Sequence, residues 1–216
     1  MREVRELWDG DQLRCGYLEI FGDSGIHMYQ LLSEAGALRS KDQFIAVDQD
    51  MSVVFRHRAN PEICDKLTMV HGDAYVVASR VAHEGTVGFY NFDGTDMGTP
   101  AWWDRHSRLL CEIVSKTVSR WGACMVSFNK SMDRLPQGFS PSDFLKQQAD
   151  LSCAALLGRW GVLPKNLIEG TSSVHCVDDR KWTGRAGAYQ VYRSEGRVLR
   201  MATLRLYFRG REVIYL

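Results

Sequence analysis

Along most of this chain, short apolar runs alternate with longer stretches of helical spacing, and nearly every run ends in a glycine or acidic turn. Residues 16–21 (GYLEIF) lead into Gly22, after which Ile26, Tyr29, Leu32 and Leu38 recur near helical spacing. A strand, a tight turn and a helix are predicted there. Residues 44–48 (FIAVD) read as a second strand, ahead of a helix over 51–58 that Asn60-Pro61 breaks. A third strand covers 67–71 (LTMVH) before Gly72-Asp73, and a fourth covers 86–92 (TVGFYNF) before Asp93-Gly94. Pro100 then opens a helix reaching Arg120, with Trp103, Leu109, Leu110, Ile113, Val114 and Val118 as its apolar stripe. A fifth strand over 122–128 (GACMVSF) precedes a helix over 141–160, with Ser140 as its N-cap and Gly161 at its end. Alternation of this kind predicts a parallel sheet covered by helices on both faces.

The C-terminal end departs from the pattern. Residues 187–193 (GAYQVYR) and 201–209 (MATLRLYFR) flank Ser194-Glu195-Gly196 without an intervening helix, and they read as an antiparallel hairpin. One domain over 1–216 is expected, with 1–14 as an N-terminal extension and 170–216 as the segment that carries the hairpin. At 216 residues and 45% hydrophobic content, such a chain can bury about 70% of its unfolded surface without metal or disulfide staples. No apolar stretch approaches the roughly 18 to 20 residues of a membrane span, and residues 1–11 mix charges of both signs. The chain is therefore expected to be neither secreted nor membrane-spanning. Cys15, Cys64, Cys111, Cys124, Cys153 and Cys176 stand singly, without zinc-site spacing. They are expected to be packed free thiols in a reducing cytoplasm.

The chemistry concentrates where the strands end. Glu19, Asp48 and Asp73 lie in or just after three consecutive predicted strands, with Asp48 coming 29 residues after Glu19. In open α/β sheets, ligands bind in the crevice beyond the carboxyl ends of the strands, and an acid at the second strand can accept both ribose hydroxyls. GxSxG, the Walker A loop and HExxH are absent, and the six histidines are dispersed, so no metal site is expected. A nicotinamide dinucleotide stays open on the Gly22 to Gly25 turn and Asp48, although GxGxxG is missing.

With these motifs in this order, residues 15 to 210 resemble the class I S-adenosylmethionine (SAM)-dependent methyltransferases. Leu18-Glu19-Ile20-Phe21-Gly22-Asp23-Ser24-Gly25 is similar to the acidic, glycine-rich first turn of that family, and Gly72-Asp73-Ala74 to its G-D-A. Asn91-Phe92-Asp93-Gly94 falls where the family places residues that face both cofactor and substrate. The resemblance implies a Rossmann-like three-layer sandwich whose mostly parallel seven-stranded sheet ends in an antiparallel β-hairpin. It implies SAM as the cofactor, with Glu19, Gly22, Asp23 and Gly25 on the methionine side, Asp48 on the ribose and Asp73 on the adenine. Asp50 is a neighbour able to take the ribose role, and Met51 would pack on the adenine. Asp93 and Asn91 are the implied catalytic residues. Asp23 replaces a usual glycine, and the proline pair of (D/N)-P-P-(Y/F) is missing. These departures leave a second reading, a methyltransferase-like binding or regulatory module without catalysis.

The net charge of +1 divides unevenly: residues 1–158 carry −5 and residues 159–216 carry +6. Arg180, Lys181, Trp182, Arg185, Tyr189, Tyr192, Arg193, Arg197 and Arg200 interleave cations with aromatics, as a surface that grips phosphates and stacks bases does. RNA or DNA is therefore the preferred methyl acceptor. The loops over 129–142 and 169–187 would lie on the substrate side, and Trp102 and Trp103 would line a ring pocket.

Overall fold

The computed structural model describes residues 5–20, 27–61, 63–93, 100–131, 163–164, 175–177, 181–184, 187–194, 197–209 and 212–215. They belong to two compact units, one of residues 1–92 with 112–125, the other of residues 93–111 with 126–216.

In the first unit, β1 (Trp8–Asp9) and β2 (Gln12–Leu13) pair antiparallel as a small separate sheet. The alternating elements follow: β3 (Gly16–Ile20), α1 (His27–Glu34), β4 (Phe44–Asp48), α2 (Met51–Ala59), β5 (Thr68–His71), α3 (Ala74–Glu84) and β6 (Val87–Asp93), and then the part of α4 (Pro100–Trp121) from Glu112 on and the start of β7 (Ala123–Ser131), the rest of both belonging to the second unit. The strand order is β5-β4-β3-β6-β7, with β5, β4, β3 and β6 mutually parallel. Right-handed crossovers from β3 to β4 and from β4 to β5 put α1 and α2 on one face. The connection from β5 to β6 runs back in the opposite direction, so α3 covers the other face and the unit has three layers. The order therefore reverses between β3 and β6, which makes that pair the switch point of the sheet.

Burial explains why these segments are strands. Phe44, Ile45, Ala46 and Val47 are all buried, the unbroken pattern of a parallel strand covered on both faces. Tyr17 stacks on Phe44 and Phe89, and Tyr75 stacks on Phe92 with centroids 4.5 Å apart. Tyr90 and Phe92 are core residues. On α4 the buried stripe runs through Ser107, Leu110, Ile113, Val114 and Thr117, whereas Leu109 and Val118 are only half-buried. Thr117 belongs in the core because its hydroxyl pairs with that of Tyr90 at 2.9 Å, satisfying two buried polar groups together. Helix α3 ends at Gly85, whose φ of 70° is left-handed.

Residues expected to be an N-terminal extension are built into this unit. Leu7 and Leu13 are fully buried, the Leu13 N–H donates to the Ala37 carbonyl at 2.8 Å, and Asp9 pairs with Arg39 at 2.6 Å. Cys15 and Cys124 are buried as expected; Cys64 is exposed, because it sits in the turns after α2 rather than in a strand or helix.

The second unit is antiparallel where the expected hairpin lies. Its strands are β8 (Leu163–Pro164), β9 (His175–Val177), β10 (Lys181–Gly184), β11 (Gly187–Ser194), β12 (Arg197–Arg209) and β13 (Glu212–Tyr215). The order from the end of β7 is β7-β12-β11-β10-β9, and β13 pairs with both β12 and β8. The sheet thus carries more strands than the seven expected. The reason is visible in β12, whose 13 residues overrun the 8 of β11. Residues 197–203 pair with β11, and 206–209 pair with β13, which takes up edge groups that would otherwise lack partners. Among the described residues no helix is long and apolar enough to cross a membrane.

Candidate functional site at the carboxyl ends of the strands

Glu19 and Asn91 occupy the switch point. They are register partners on the adjacent parallel strands β3 and β6. The Asn91 amide Nδ2 donates to Glu19 Oε1 at 3.0 Å. Asn91 is 6% exposed and Glu19 half-buried, so this charge-assisted bond lies in a partly dry setting, where it is stronger than at the surface. Parallel register brings the two side chains to one level; sequence alone puts them 72 residues apart.

One strand further from the switch point, Asp48 closes β4 beside His71, its register partner on β5. The turn after Asp48 folds tightly. The Asp50 N–H donates to Asp48 Oδ1 at 2.8 Å, while the Gly72 N–H donates to the Asp48 backbone carbonyl at 3.0 Å. The His71 ring Nε2 donates to the Gln49 carbonyl at 3.1 Å, so the loops after β4 and β5 are tied to each other. Gly72 has a φ of 153°, a setting that L side chains rarely adopt, which is why the residue before Asp73 is glycine.

Asp50 and Asp73 serve as helix N-caps. Asp50 Oδ1 accepts the Ser52 N–H at 2.8 Å, and bonds from the Ser52 side chain and backbone hold its carboxyl below the ordinary carboxylate range. Asp73 Oδ1 accepts from the N–H groups of Tyr75 and Val76 at 2.9 and 3.0 Å, and Gln49 Nε2 approaches Oδ2 at 3.4 Å. Burial, then the Asp73 charge, raise the Tyr75 phenol, so it stays protonated beside that carboxylate. Gln49 and His71 went unrecognised as parts of this constellation. The signal for them was position, directly after one strand-end acid and directly before the G-D-A turn.

The structure therefore brings Glu19 and Asn91 into contact, sets Asp48 at the end of β4 and puts Asp73 in the turn after β5. Met51, 41% exposed, opens α2 next to Asp50. Gly22, Asp23 and Gly25 lie outside the described residues, as do the helix over 141–160 and most of the loops over 129–142 and 169–187. Asp93 ends β6 and belongs to the second unit, and its side chain, like those of Trp102 and Trp103, lies outside the description.

Four carboxylates, Glu19, Asp48, Asp50 and Asp73, offer acceptors and negative charge, and the N–H groups of Ser52 on α2 and of Tyr75 and Val76 on α3 are already taken by Asp50 and Asp73. A cationic ligand rich in hydroxyl and amino groups suits such a face; a phosphate at either of these helices does not.

No protein-family model matches this sequence, and the comparison with curated proteins finds no match. Solved structures are similar at low identity. An antibiotic-related methyltransferase is 9% identical with a TM-score of 0.46, over 94% of this chain and 90% of that one. The N-methyltransferase NodS from Bradyrhizobium japonicum is 9% identical with a TM-score of 0.40, over 94% and 92%. A fibrillarin pre-rRNA processing protein from Methanococcus jannaschii is 11% identical with a TM-score of 0.40, over 88% and 67%.

Proposed function

We propose that this protein binds S-adenosylmethionine at the carboxyl ends of β3 to β6 and transfers its methyl group to an acceptor, with nucleic acid the preferred class. The observation that carries the reading is the Glu19–Asn91 bond across the switch point, with Asp48 ending β4 and Asp73 two residues past the end of β5. That succession of acids fits a ligand with a cationic amino-acid end, a ribose and an adenine, in the same order along the sheet. Glu19 faces the positive end, Asp48 the ribose hydroxyls and Asp73 the adenine amino group.

When bound, the cofactor supplies an activated methyl on a sulfonium, so the protein is left to bind, orient and exclude water. Asn91 is buried and committed to Glu19, which makes it a positioning residue that holds the carboxylate at the switch point. Asp93, two residues further along β6, is the candidate to orient the acceptor and take up its proton. Gly22, Asp23 and Gly25 complete the methionine-side loop in this reading, within one methyltransferase-like domain.

Titration calorimetry with SAM and with its demethylated product tests the site. Binding of both, lost in Asp48→Ala while the fold is retained, supports it. Absence of binding to either by folded protein overturns it. Methyl transfer from labelled SAM to RNA, DNA, protein and small-molecule pools then identifies the acceptor, and signal confined to small molecules ends the nucleic-acid assignment. Binding without transfer to any pool marks a cofactor-binding regulatory module instead.

A further inference from the structure

We infer that Gln49 is a positioning residue: its side-chain amide fixes the plane of the Asp73 carboxylate and thereby makes the site select a purine with a 6-amino group. This role rests on the cofactor reading above, in which Asp73 meets the adenine. Asp73 Oδ1 is already engaged twice, by the N–H groups of Tyr75 and Val76 at 2.9 and 3.0 Å. Asp73 is exposed, and Oδ2 is the oxygen with acceptor capacity left for a ligand. Two bonds to one oxygen leave the plane of a carboxylate free to swing, because the last torsion of an Asp side chain is broad. Gln49 Nε2, donating to Oδ2 at 3.4 Å from the loop after β4, supplies the third point that fixes the plane.

The backbone around Gln49 brings it there. The Asp48 carbonyl accepts the Gly72 N–H at 3.0 Å and the Gln49 carbonyl accepts from His71 Nε2 at 3.1 Å, so two successive carbonyls of this loop are bound to the two residues before Asp73. The Asp50 N–H turns back to Asp48 Oδ1 at 2.8 Å and holds the other side of Gln49. The side chain crosses a gap that its own backbone already bridges. Gln49 is exposed, and glutamine is among the side chains that lose most rotamer freedom when held, so one long bond to a residue that already caps α3 adds little to folding stability. Its chemistry suits orientation instead. A neutral amide donates without cancelling the carboxylate charge, as a lysine or arginine at this position would, and the charge stays available to the amino group of a ligand. A 6-oxo purine brings an acceptor to the place where the held Oδ2 also accepts, which leaves both oxygens without a donor.

The test is titration calorimetry of the full chain with S-adenosylhomocysteine and with S-inosylhomocysteine, which share the ribose and the tail and differ at the 6-position of the purine. Wild type is expected to favour the 6-amino ligand by more than about tenfold. Gln49→Met keeps the length of the side chain and removes its donor. The preference should shrink by about 2- to 10-fold, while the melting temperature stays within about 2 °C of wild type. Gln49→Glu sets an acceptor against Oδ2 and should shrink the preference at least as much. Asp73→Asn keeps the capping oxygen and turns Oδ2 into an amide nitrogen that cannot accept, so in that background Gln49→Met should leave the preference where it is. An unchanged preference in Gln49→Met overturns the role of Gln49 and leaves the cofactor site standing. An equal loss with and without Asp73→Asn overturns the route through Asp73, and a wild type without preference overturns the selection itself. Absence of binding of the 6-amino ligand to folded wild type removes the cofactor site and this role together.

Discussion

Replacing Asp73 by alanine removes the oxygen that accepts the Tyr75 and Val76 N–H groups and caps α3. Loss of an Asp N-cap costs about 1 kcal/mol, and loss of negative charge at a helix N-terminus about 0.3 to 1 kcal/mol more. For a chain of this size each kcal/mol lowers the melting temperature by about 2 to 4 °C, so Asp73→Ala should melt about 3 to 8 °C below wild type. Asp73→Asn keeps a capping oxygen and loses only the charge, so its melting temperature should fall by about 4 °C at most. The two variants must diverge in stability and agree in ligand affinity. A hydrogen bond from an adenine amino group to a carboxylate is worth about 1.5 to 3 kcal/mol, which makes SAM binding about 10- to 100-fold weaker in both. Circular-dichroism melting and titration calorimetry on the same samples give both readouts. Wild-type SAM affinity in Asp73→Asn refutes the adenine contact and leaves Asp73 as a cap alone. A wild-type melting temperature in Asp73→Ala refutes the cap.

Asn91→Leu takes away the donor that Glu19 accepts at 3.0 Å in a mostly buried place; it should cost about 1.5 to 3 kcal/mol, divided between the urea midpoint and the SAM dissociation constant, and no change in either refutes the positioning role. Gly88→Ala drives a methyl into the Cys15 sulfur, with Leu7 Cδ2 only 3.1 Å away, so overpacking should lower stability by about 1 to 3 kcal/mol in a thermal melt. Thr117→Val strips the Tyr90 hydroxyl of its 2.9 Å side-chain partner and should cost about 1 kcal/mol by urea denaturation, whereas a wild-type midpoint would show that the pair adds nothing. Burial pushes the Cys15 thiol from 9.0 up to about 12. Between these values the unfolded chain has released a proton that the folded one retains, so stability is intact below pH 9 and falls as pH rises toward 12, by at most about 1.4 kcal/mol per unit from this group. Urea midpoints at pH 8 and pH 10.5 should fall less in Cys15→Ala than in wild type, and equal losses would remove Cys15 as a source.

The strands of the first unit were legible because burial on both faces writes itself as unbroken apolar runs. FIAVD was placed to the residue, and GYLEI and VGFYNFD to within one at the ends. The acids were legible for a related reason: a carboxylate directly after such a run has few places to go except the sheet's carboxyl edge. Three things were not. The Glu19–Asn91 bond joins residues that only parallel register brings together, and no local pattern encodes register between distant strands. Thr117 and Ser107 broke the apolar stripe of α4 because a buried hydroxyl with a partner costs little, and the partner of Thr117, Tyr90, lies 27 residues away. Strands β8, β9, β10 and β13 have two to four residues each, too few for a period of two to show. They exist because longer neighbours leave backbone edges to be paired.

The double duty of the acids bears on what this sheet discriminates. A dinucleotide-binding sheet uses the N–H groups at a helix start to hold phosphate, and the field there favours an anion. Here the starts of α2 and α3 have been given to Asp50 and Asp73, each of which accepts those N–H groups and adds a negative charge at the same point. A phosphate brought to either end would displace an acceptor already in place and face its charge. Adenosine carrying a cationic tail meets the opposite balance, since its hydroxyl and amino groups donate and its net charge is positive. Adenosine diphosphate and S-adenosylmethionine share the adenosine and differ in the tail. Titrated side by side, the nucleotide should bind at least tenfold more weakly, and the gap should narrow in the double variant Asp50→Asn, Asp73→Asn, which keeps both caps and removes both charges. Equal affinities in the wild type would mean that the caps do not govern the choice of ligand.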